Sequence, residues 1–354
     1  MPLFSKPNTQ SFVGIDLGVS GIKLVELLNE KGRARLVTYA YTDHQAAAEG
    51  KGYAEQPEAT GELLKKMVLQ ARTTTKKAIA ALPISSVFSS IINVPASNDK
   101  ELQEAIHWQA KKLIPMPLEE IALDSKVLDA GNPDEKKKMT RVLLTGAPST
   151  LVHTYVKILG GAGLEPLALE TEALAQVRSL VGKDRATVMI IDIGLLRTNI
   201  TVVEQGIPFL SRSIAAGGAM MTTMMAKTLG IPESQAETMK RDIRALKGFA
   251  PAGDLTPLLQ TLLKPVLDEV RYSFNLYQEQ PEGGQKKRIE KIILTGGSSL
   301  LPNLPELLTS LLNVNTYRGD PWARIVYPED LRPILEELGP RFSVAVGCAM
   351  RDIE

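Results

Sequence analysis

The sequence predicts an α/β protein of two related domains, with a segment of separate β-α-β-β-α pattern between their repeated motifs. Three observations carry that prediction. Short runs rich in β-branched residues alternate with helical patterns along the 354 residues, as in sheets covered by helices. A strand–turn–strand pattern at Phe12–Leu28 recurs at Val188–Val203. In each copy an apolar strand delivers an aspartate (Asp16, Asp192), a glycine follows two residues later (Gly18, Gly194), and a second β-rich run comes next. So long a period fits two related domains, because solenoid repeats recur every ~20–50 residues. The third observation is a separate β-α-β-β-α pattern lying between the copies.

Composition removes several alternatives. Lys plus Arg is 41 against 40 for Asp plus Glu, which argues against a general nucleic-acid binder with a basic face. A single cysteine, Cys348, excludes a disulfide framework within the chain and a cysteine zinc site. His44, His107 and His153 are far apart, which disfavours a histidine metal site. No apolar run approaches the ~20 residues that cross a bilayer. The first residues lack a signal-peptide core, and Cys348–Glu354 carries no amphipathic tail. The expectation is a cytoplasmic protein whose membrane role, if any, runs through a protein partner.

In chain order, Ala78–Val94 reads as a strand region, and Asp99–Ile114 as a helix with Leu102, Ile106, Ala110 and Leu113 on one face. Pro115 and Pro117 stop that helix. Ile121–Leu128 and Arg141–Thr145 read as strands joined by a polar turn from Gly131 to Lys138, where Lys136, Lys137 and Lys138 are simplest as a solvated run. Leu151–Leu159 is a helix closed by glycines. Met220, Met221, Met224 and Met225 are expected as helix core. Ile292–Leu304 reads as a buried strand ending at Gly296-Gly297, with a helix after Pro302, suited to close approach by a flat ligand.

The repeated Asp-x-Gly turn has two readings: a plain β-hairpin, or a phosphate clamp. In the clamp, glycine lets backbone N–H groups approach phosphate, and the aspartate holds a hydrated Mg²⁺. Lys23 is then either a surface lysine or an ammonium aimed at a phosphate. Glu237, Lys240 and Arg241 stand at i, i+3 and i+4, sharing one helix face, either as a surface ion pair or against a ligand.

The order of two Asp-x-Gly turns and then Gly296-Gly297-Ser298-Ser299-Leu300-Leu301-Pro302 resembles the phosphate-one, phosphate-two and adenosine motifs of the actin-like ATPase superfamily. Gly217-Gly218 matches its approach to the ribose, and Phe342–Met350, with Gly347 at a close crossing, its second connecting helix. Within the superfamily the chain most resembles the PilM family of type IV pilus assembly, over nearly its whole length. The residues that carry this are Gly14-Ile15-Asp16, Ile22–Leu27, Ala81-Leu82-Pro83, Asn93-Val94-Pro95, Ile114–Glu119, Leu123-Asp124 and Ala162–Pro166. The resemblance divides the chain into a first actin-like core at 1–77, 164–181 and 340–354, an FtsA-type inserted subdomain at 78–163, and a second actin-like domain at 182–339.

The resemblance implies ATP and Mg²⁺ as cofactors. Asp16 and Asp192 would hold the Mg²⁺ shell through water. Gly18, Val19, Ser20, Gly21 and Lys23 would cradle the β-phosphate, with Gly194 and Thr198 toward the γ-phosphate. Gly217, Gly218, Glu237, Lys240, Arg241, Gly296, Gly297, Ser298 and Leu301 would surround ribose and adenine. Glu170 and Glu172 compete for the place of the water-positioning carboxylate, or one of them caps the following helix. Leu195, Leu196 and Arg197 stand where FtsA-like proteins carry further Gly and Thr, which predicts slow hydrolysis at most. The implied function is a cytoplasmic scaffold, peripheral at the inner membrane. It would bind the cytoplasmic N-terminal peptide of PilN and link it to the pilus motor ATPases and platform protein, with self-association also open. The alternatives are a polymerising FtsA- or MreB-like cytoskeletal ATPase and a small-metabolite kinase on the same fold.

Overall fold

The computed structural model describes residues 10–43, 52–95, 98–129, 139–242, 256–282 and 285–353. Two of its sheets share one plan. The first opens with antiparallel β1 (Ser11–Gly18), β2 (Gly21–Glu30) and β3 (Arg33–Tyr41), and continues beyond β1 with parallel β4 (Lys77–Leu82) and β8 (Glu165–Thr171). The second opens with antiparallel β9 (Val188–Ile193), β10 (Thr198–Glu204) and β11 (Ile207–Ile214), and continues beyond β9 with parallel β14 (Lys291–Thr295) and β15 (Thr316–Arg318). Short β16 (Ile325–Val326) adds to the free edge of β3. The repeated sequence pattern is therefore a repeated topology, and Asp16 and Asp192 stand at matching strand ends.

Both faces of the first sheet are buried, so its central strands are apolar without alternation. On β1 and β2, Val13, Ile15, Ile22 and Leu24 face α1 (Pro57–Ala71) and α3 (Ser149–Gly161), meeting Leu64, Ile158 and Leu159. Phe12, Val25 and Leu27 face the other way, onto Phe342, Ala345 and Ala349 of the last helix, Arg332–Ala349. Each fully buried side chain of this size contributes about 1.5–3 kcal/mol. The second sheet is covered by α5 (Gly218–Leu229), α6 (Glu233–Arg241), α7 (Thr256–Leu262), α8 (Lys264–Gln278) and α9 (Leu304–Leu312). The last helix is thus α10. Met221 and Met225 are fully buried in that core, with Met220 and Met224 packed against it.

The two halves are joined by α4 (Glu172–Gln176), which runs on into a wider helical turn at Val177–Val181, and by α10. These elements cross at backbone distance: a Cβ on Gly347 would lie 1.9 Å from the Ala175 carbonyl oxygen, so only glycine fits. On the other side of α10, a Cβ on Gly14 would lie 2.0 Å from the Ala345 carbonyl oxygen.

The third sheet has the order β5 (Phe88–Pro95), β7 (Met139–Pro148), β6 (Ile121–Asp129), antiparallel throughout, with α2 (Asp99–Leu113) over one face. Asn98 caps α2 by accepting the Glu101 N–H at 3.0 Å. Ile106 and Ala110 are buried as expected, whereas Leu113 is largely exposed. The expected strand over Ala78–Val94 is two strands in two different sheets. Pro83 lacks a ladder donor and the Ile84–Ser86 turn redirects the chain between them. The expected inserted segment 78–163 divides accordingly. β4 pairs with β1 and β8, and α3 packs with the first sheet's core, leaving residues 88–148 for the separate sheet and its helix. The expected lysine turn at Gly131–Lys138 lies outside the described residues. A two-residue ribbon, β12 (Pro281–Glu282) with β13 (Gln285–Lys286), completes the strands. Among the described residues, no helix is long and apolar enough to cross a membrane.

Candidate functional site

The β1–β2 hairpin sets the first half of the site. Its register puts Asp16 opposite Lys23, both buried, and their charged groups approach to 3.4 Å. Lys23 Nζ also donates to Ser20 Oγ at 3.2 Å, across the turn that Val19 and Ser20 make between the strands. A Cβ on Gly18 would press to 2.8 Å from Lys23 Nζ, so the glycine leaves the ammonium its place. Gly21, at φ 142°, lies against Thr42 at the end of β3.

The second half comes from β9, β10 and β14. Asp192 is the penultimate residue of β9, opposite Asn199 and beside Thr295. Gln176 of α4, itself buried, donates from Nε2 to Asp192 Oδ2 at 2.6 Å. Gly296 stands at φ 82°, where a Cβ would come within 2.3 Å of Asp192 Oδ1. The turn after Asp192 is closed on itself. Gly194 N–H donates to the Arg197 carbonyl at 2.9 Å, and the carbonyls of Gly194 and Leu195 accept from Gly218 and Ala219 N–H. Thr198, fully buried, donates its hydroxyl to the Ala216 carbonyl at 2.7 Å. The donors of Gly194 and Thr198 are spent within the protein.

The structure separates the two competing glutamates. Glu170 is held by Arg178 through two parallel bonds of 2.8 Å, and Arg178 also donates to the Gly347 carbonyl. Both Glu170 oxygens thus take part in an ion pair at the α10 crossing. Glu172 instead accepts at Oε2 from Ile84 N–H at 3.0 Å and from Asn199 Nδ2 at 3.1 Å. Burial, then the charges of Asp16 and Asp192, push its carboxyl up to about 8. Asp192 is raised to about 6, chiefly by burial and against the Gln176 hydrogen bond, with the Asp16 charge adding to the rise. Asn199 Oδ1, beside Glu172, is buried and has no hydrogen-bond partner among the described residues.

A third cluster joins α5, α6 and the Gly296–Leu300 loop. Lys240 Nζ donates to the Gly218 carbonyl at 2.9 Å and to Thr222 Oγ1 at 2.8 Å, and pairs with Glu237 at 2.6 Å. Arg241, exposed, pairs with the other Glu237 oxygen at 2.8 Å. Burial works against the charged Glu237, but bonds from Lys240, Thr222 and Arg241 outweigh it and bring the carboxyl down to about 2. Ser298 Oγ would lie 2.6 Å from a Cβ on Gly218, so Gly217-Gly218, Lys240 and Ser298 converge. Leu301 does not join them: its side chain is in the core of the second domain, because the strand-to-helix link needs an apolar anchor there.

Three carboxylates, Asp16, Glu172 and Asp192, thus face one another electrostatically with Lys23 as the opposing cation. A cation beside Asp16 and Asp192 would favour the ionised forms of these carboxyl groups. Among the described residues no three His, Cys, Asp or Glu side chains stand close enough to hold a metal by themselves. A Mg²⁺ at Asp16 and Asp192 would keep water and ligand oxygens, as that ion prefers. The open position at Gly297, beside a polar cluster, fits a flat, polar ligand.

The residues missed in sequence are Gln176, Asn199 and Ile84. A signal existed for two: Gln176 stands at i+4 from Glu172 on one helix, and hairpin register places Asn199 opposite Asp192.

Comparison with known proteins bears on the whole chain. The family model described as type IV pilus assembly protein PilM matches residues 14–353. A solved PilM-PilN type IV pilus biogenesis complex is similar at 27% identity and a TM-score of 0.80, covering 97% of this chain and 98% of that one. MreB5 of Spiroplasma citri, bound to AMPPNP, shares the fold at 15% identity and a TM-score of 0.52, over 98% of this chain and 97% of that one. Cell division protein FtsA of Neisseria meningitidis serogroup B is 26% identical over 228 residues, 59% of this chain and 53% of that protein. The match thus spans about half the length of that curated relative.

Proposed function

The chain belongs to the type IV pilus assembly protein PilM family and has the actin-like ATPase fold, and we propose that it works as a nucleotide-binding scaffold of the pilus assembly platform. In this reading ATP and Mg²⁺ occupy the cleft between the two large sheets, and the cytoplasmic N-terminal peptide of a PilN protein docks on the first domain and its inserted subdomain. The observation that carries it is the match to the PilM-PilN complex over nearly the full length of both chains. A short extended peptide that orders on binding gains main-chain and apolar contacts at an ordering cost. The protein would then sit at the inner membrane through that partner, within reach of the motor ATPases and the platform protein.

In the cleft, Asp16 and Asp192 orient a hydrated cation, Lys23 meets the β-phosphate as a point charge, and Gly217, Gly218, Lys240, Gly296, Gly297 and Ser298 receive the nucleoside. Bound Mg²⁺ supplies neutralisation of phosphate charge. Glu172 is the carboxylate suited to orient water, but the Gly194 and Thr198 donors are already engaged. Slow turnover is therefore the expectation, and the nucleotide acts mainly as a shape-setting ligand.

The test is calorimetry with the matching PilN N-terminal peptide, with and without Mg-ATP. Binding in either state supports the scaffold reading, and the ratio of the two affinities gives the coupling between the sites. Absence of peptide binding in both states, with ATP still bound, would favour a filament-forming protein.

A further inference from the structure

We propose that the end of the molecule opposite the cleft is a docking surface for an anionic lipid bilayer, formed by basic residues at the outer strand ends of both large sheets. The inference goes beyond the nucleotide reading and does not depend on it. It adds a direct lipid contact to any contact made through a protein partner.

Strand direction fixes where these residues stand. β1 and β9 run toward the cleft, so the turns that follow β2 and β10, and the starts of β9 and β14, lie at the other end. In the first domain that end carries Lys31 in the β2–β3 turn, with Arg33 and Arg35 at the start of β3. In the second it carries Lys183 and Arg185 before β9 and Arg288 before β14. Arg185 donates to the Gln205 carbonyl in the β10–β11 turn at 3.3 Å, and Lys291 pairs with Asp184 at 2.6 Å. These bonds draw the loops of the second domain together.

Arg324 joins the two halves of the surface. The residues after it form β16, where Ile325 pairs with Ala34 and Val326 with Arg35. Its own guanidinium donates to the Arg178 carbonyl and fills the space that a Cβ on Gly182 would take, next to Lys183. A basic band thus runs from Arg33 through Arg324 to Lys183 and Arg288.

The side chains of Arg33, Lys183 and Arg288 are exposed and have no hydrogen-bond or ion-pair partner among the described residues. Acidic neighbours offset only part of the charge. Glu30 stands 3.8 Å from Arg35, Asp184 is bound to Lys291, and Glu290 accepts the Thr187 N–H at 2.8 Å. The whole chain has a formal charge of only +1, so unpaired cations at one end make an asymmetry that orients the molecule toward a negative surface. These cations sit on separate loop tips of two domains and do not converge on one point. That spacing suits an array of headgroup phosphates, each cation adding its own share, better than one small anion.

The experiment sediments the full chain with vesicles of phosphatidylethanolamine and phosphatidylglycerol, and with vesicles of phosphatidylcholine alone, at low and at high salt. One variant is Arg33→Gln with Lys183→Gln and Arg288→Gln. The control, with the same change in net charge, is Lys100→Gln with Lys111→Gln and Lys227→Gln, on α2 and α5. The parent should bind the anionic vesicles at low salt, release them at high salt and ignore the neutral ones. Each cation removed from the surface should weaken binding about fivefold, so the first variant loses on the order of a hundredfold and the control less than about threefold. Unfolding midpoints should match the parent's, because all the replaced side chains are exposed. Equal losses in the two variants, equal binding to neutral vesicles, or no binding of the parent to anionic vesicles would each overturn the inference. Retention of the parent on immobilised polyglutamate without vesicle binding would also overturn it, and would assign the surface to an acidic protein.

Discussion

Glu172 Oε2 accepts from Asn199 Nδ2 at 3.1 Å, and Asn199 is the residue directly opposite Asp192 in the β9–β10 ladder. The same oxygen accepts from Ile84 N–H, in the turn that leads from the first sheet into the inserted sheet. Glu172 thus ties β10, at the position paired with the proposed metal-facing aspartate of β9, to the base of the inserted subdomain.

That tie predicts a separation of effects. Glu172→Gln keeps size and one acceptor but removes the titrating carboxyl. Mg-ATP affinity should change by less than about fivefold, while the ratio of PilN-peptide affinities with and without nucleotide moves toward one. Calorimetry on the variant checks both numbers. An unchanged ratio would show that the coupling, where present, runs elsewhere.

The same residue makes stability depend on pH in a calculable direction. Its carboxyl titrates near 8 when folded and near 4.5 ordinarily, and Asp192 near 6 against 3.8. Between the two values the folded chain holds a proton that the unfolded chain has released. The stabilisation is complete below the ordinary value and is lost as pH rises through the folded one. From pH 6 to 8 the Glu172 contribution should therefore fall, by at most about 1.4 kcal/mol per pH unit. Unfolding midpoints without metal should drop over that range, and Glu172→Gln should flatten the slope. Equal slopes in parent and variant would refute the assignment.

The cleft assignment has its own test. Asp16→Ala removes a proposed cation ligand and leaves Lys23 with Ser20. Gly297→Arg fills the open side of the loop, where nothing closer than 3.8 Å now meets a Cβ. Both should abolish ATP binding in calorimetry while circular dichroism stays native. Micromolar ATP affinity retained in both would sink the site.

Legibility in the sequence followed the range of the interaction. The Asp16–Lys23 and Asp192–Asn199 pairings are set by hairpins, so residue order nearly dictates them. The Glu237–Lys240 face follows from helix spacing in the same way. The strand over Ala78–Val94 failed because only pairing partners far along the chain decide that Lys77–Leu82 joins the first sheet and Phe88–Pro95 another. Glu170 and Glu172 were inseparable for a similar reason. They are two apart at a strand-to-helix junction, and what distinguishes them is Arg178 on one side and Ile84 with Asn199 on the other.

Arg178 gives the last prediction. Its guanidinium binds both oxygens of Glu170 and the Gly347 carbonyl, at the crossing where α10 meets α4 at backbone distance. The Glu170 and Arg178 side chains are 7% and 18% exposed, so removing one partner leaves a poorly hydrated charge behind. Arg178→Met should cost about 3–5 kcal/mol in urea unfolding, and Glu170→Gln with Arg178→Met should recover a large part, because the pair itself contributes less than its disruption costs. Nucleotide affinity of the folded double variant should stay close to the parent's, since neither residue faces the Asp16–Asp192 cluster. If the double variant were as unstable as Arg178→Met alone, the arginine's bond to Gly347 and not its charge pairing would be what holds the crossing.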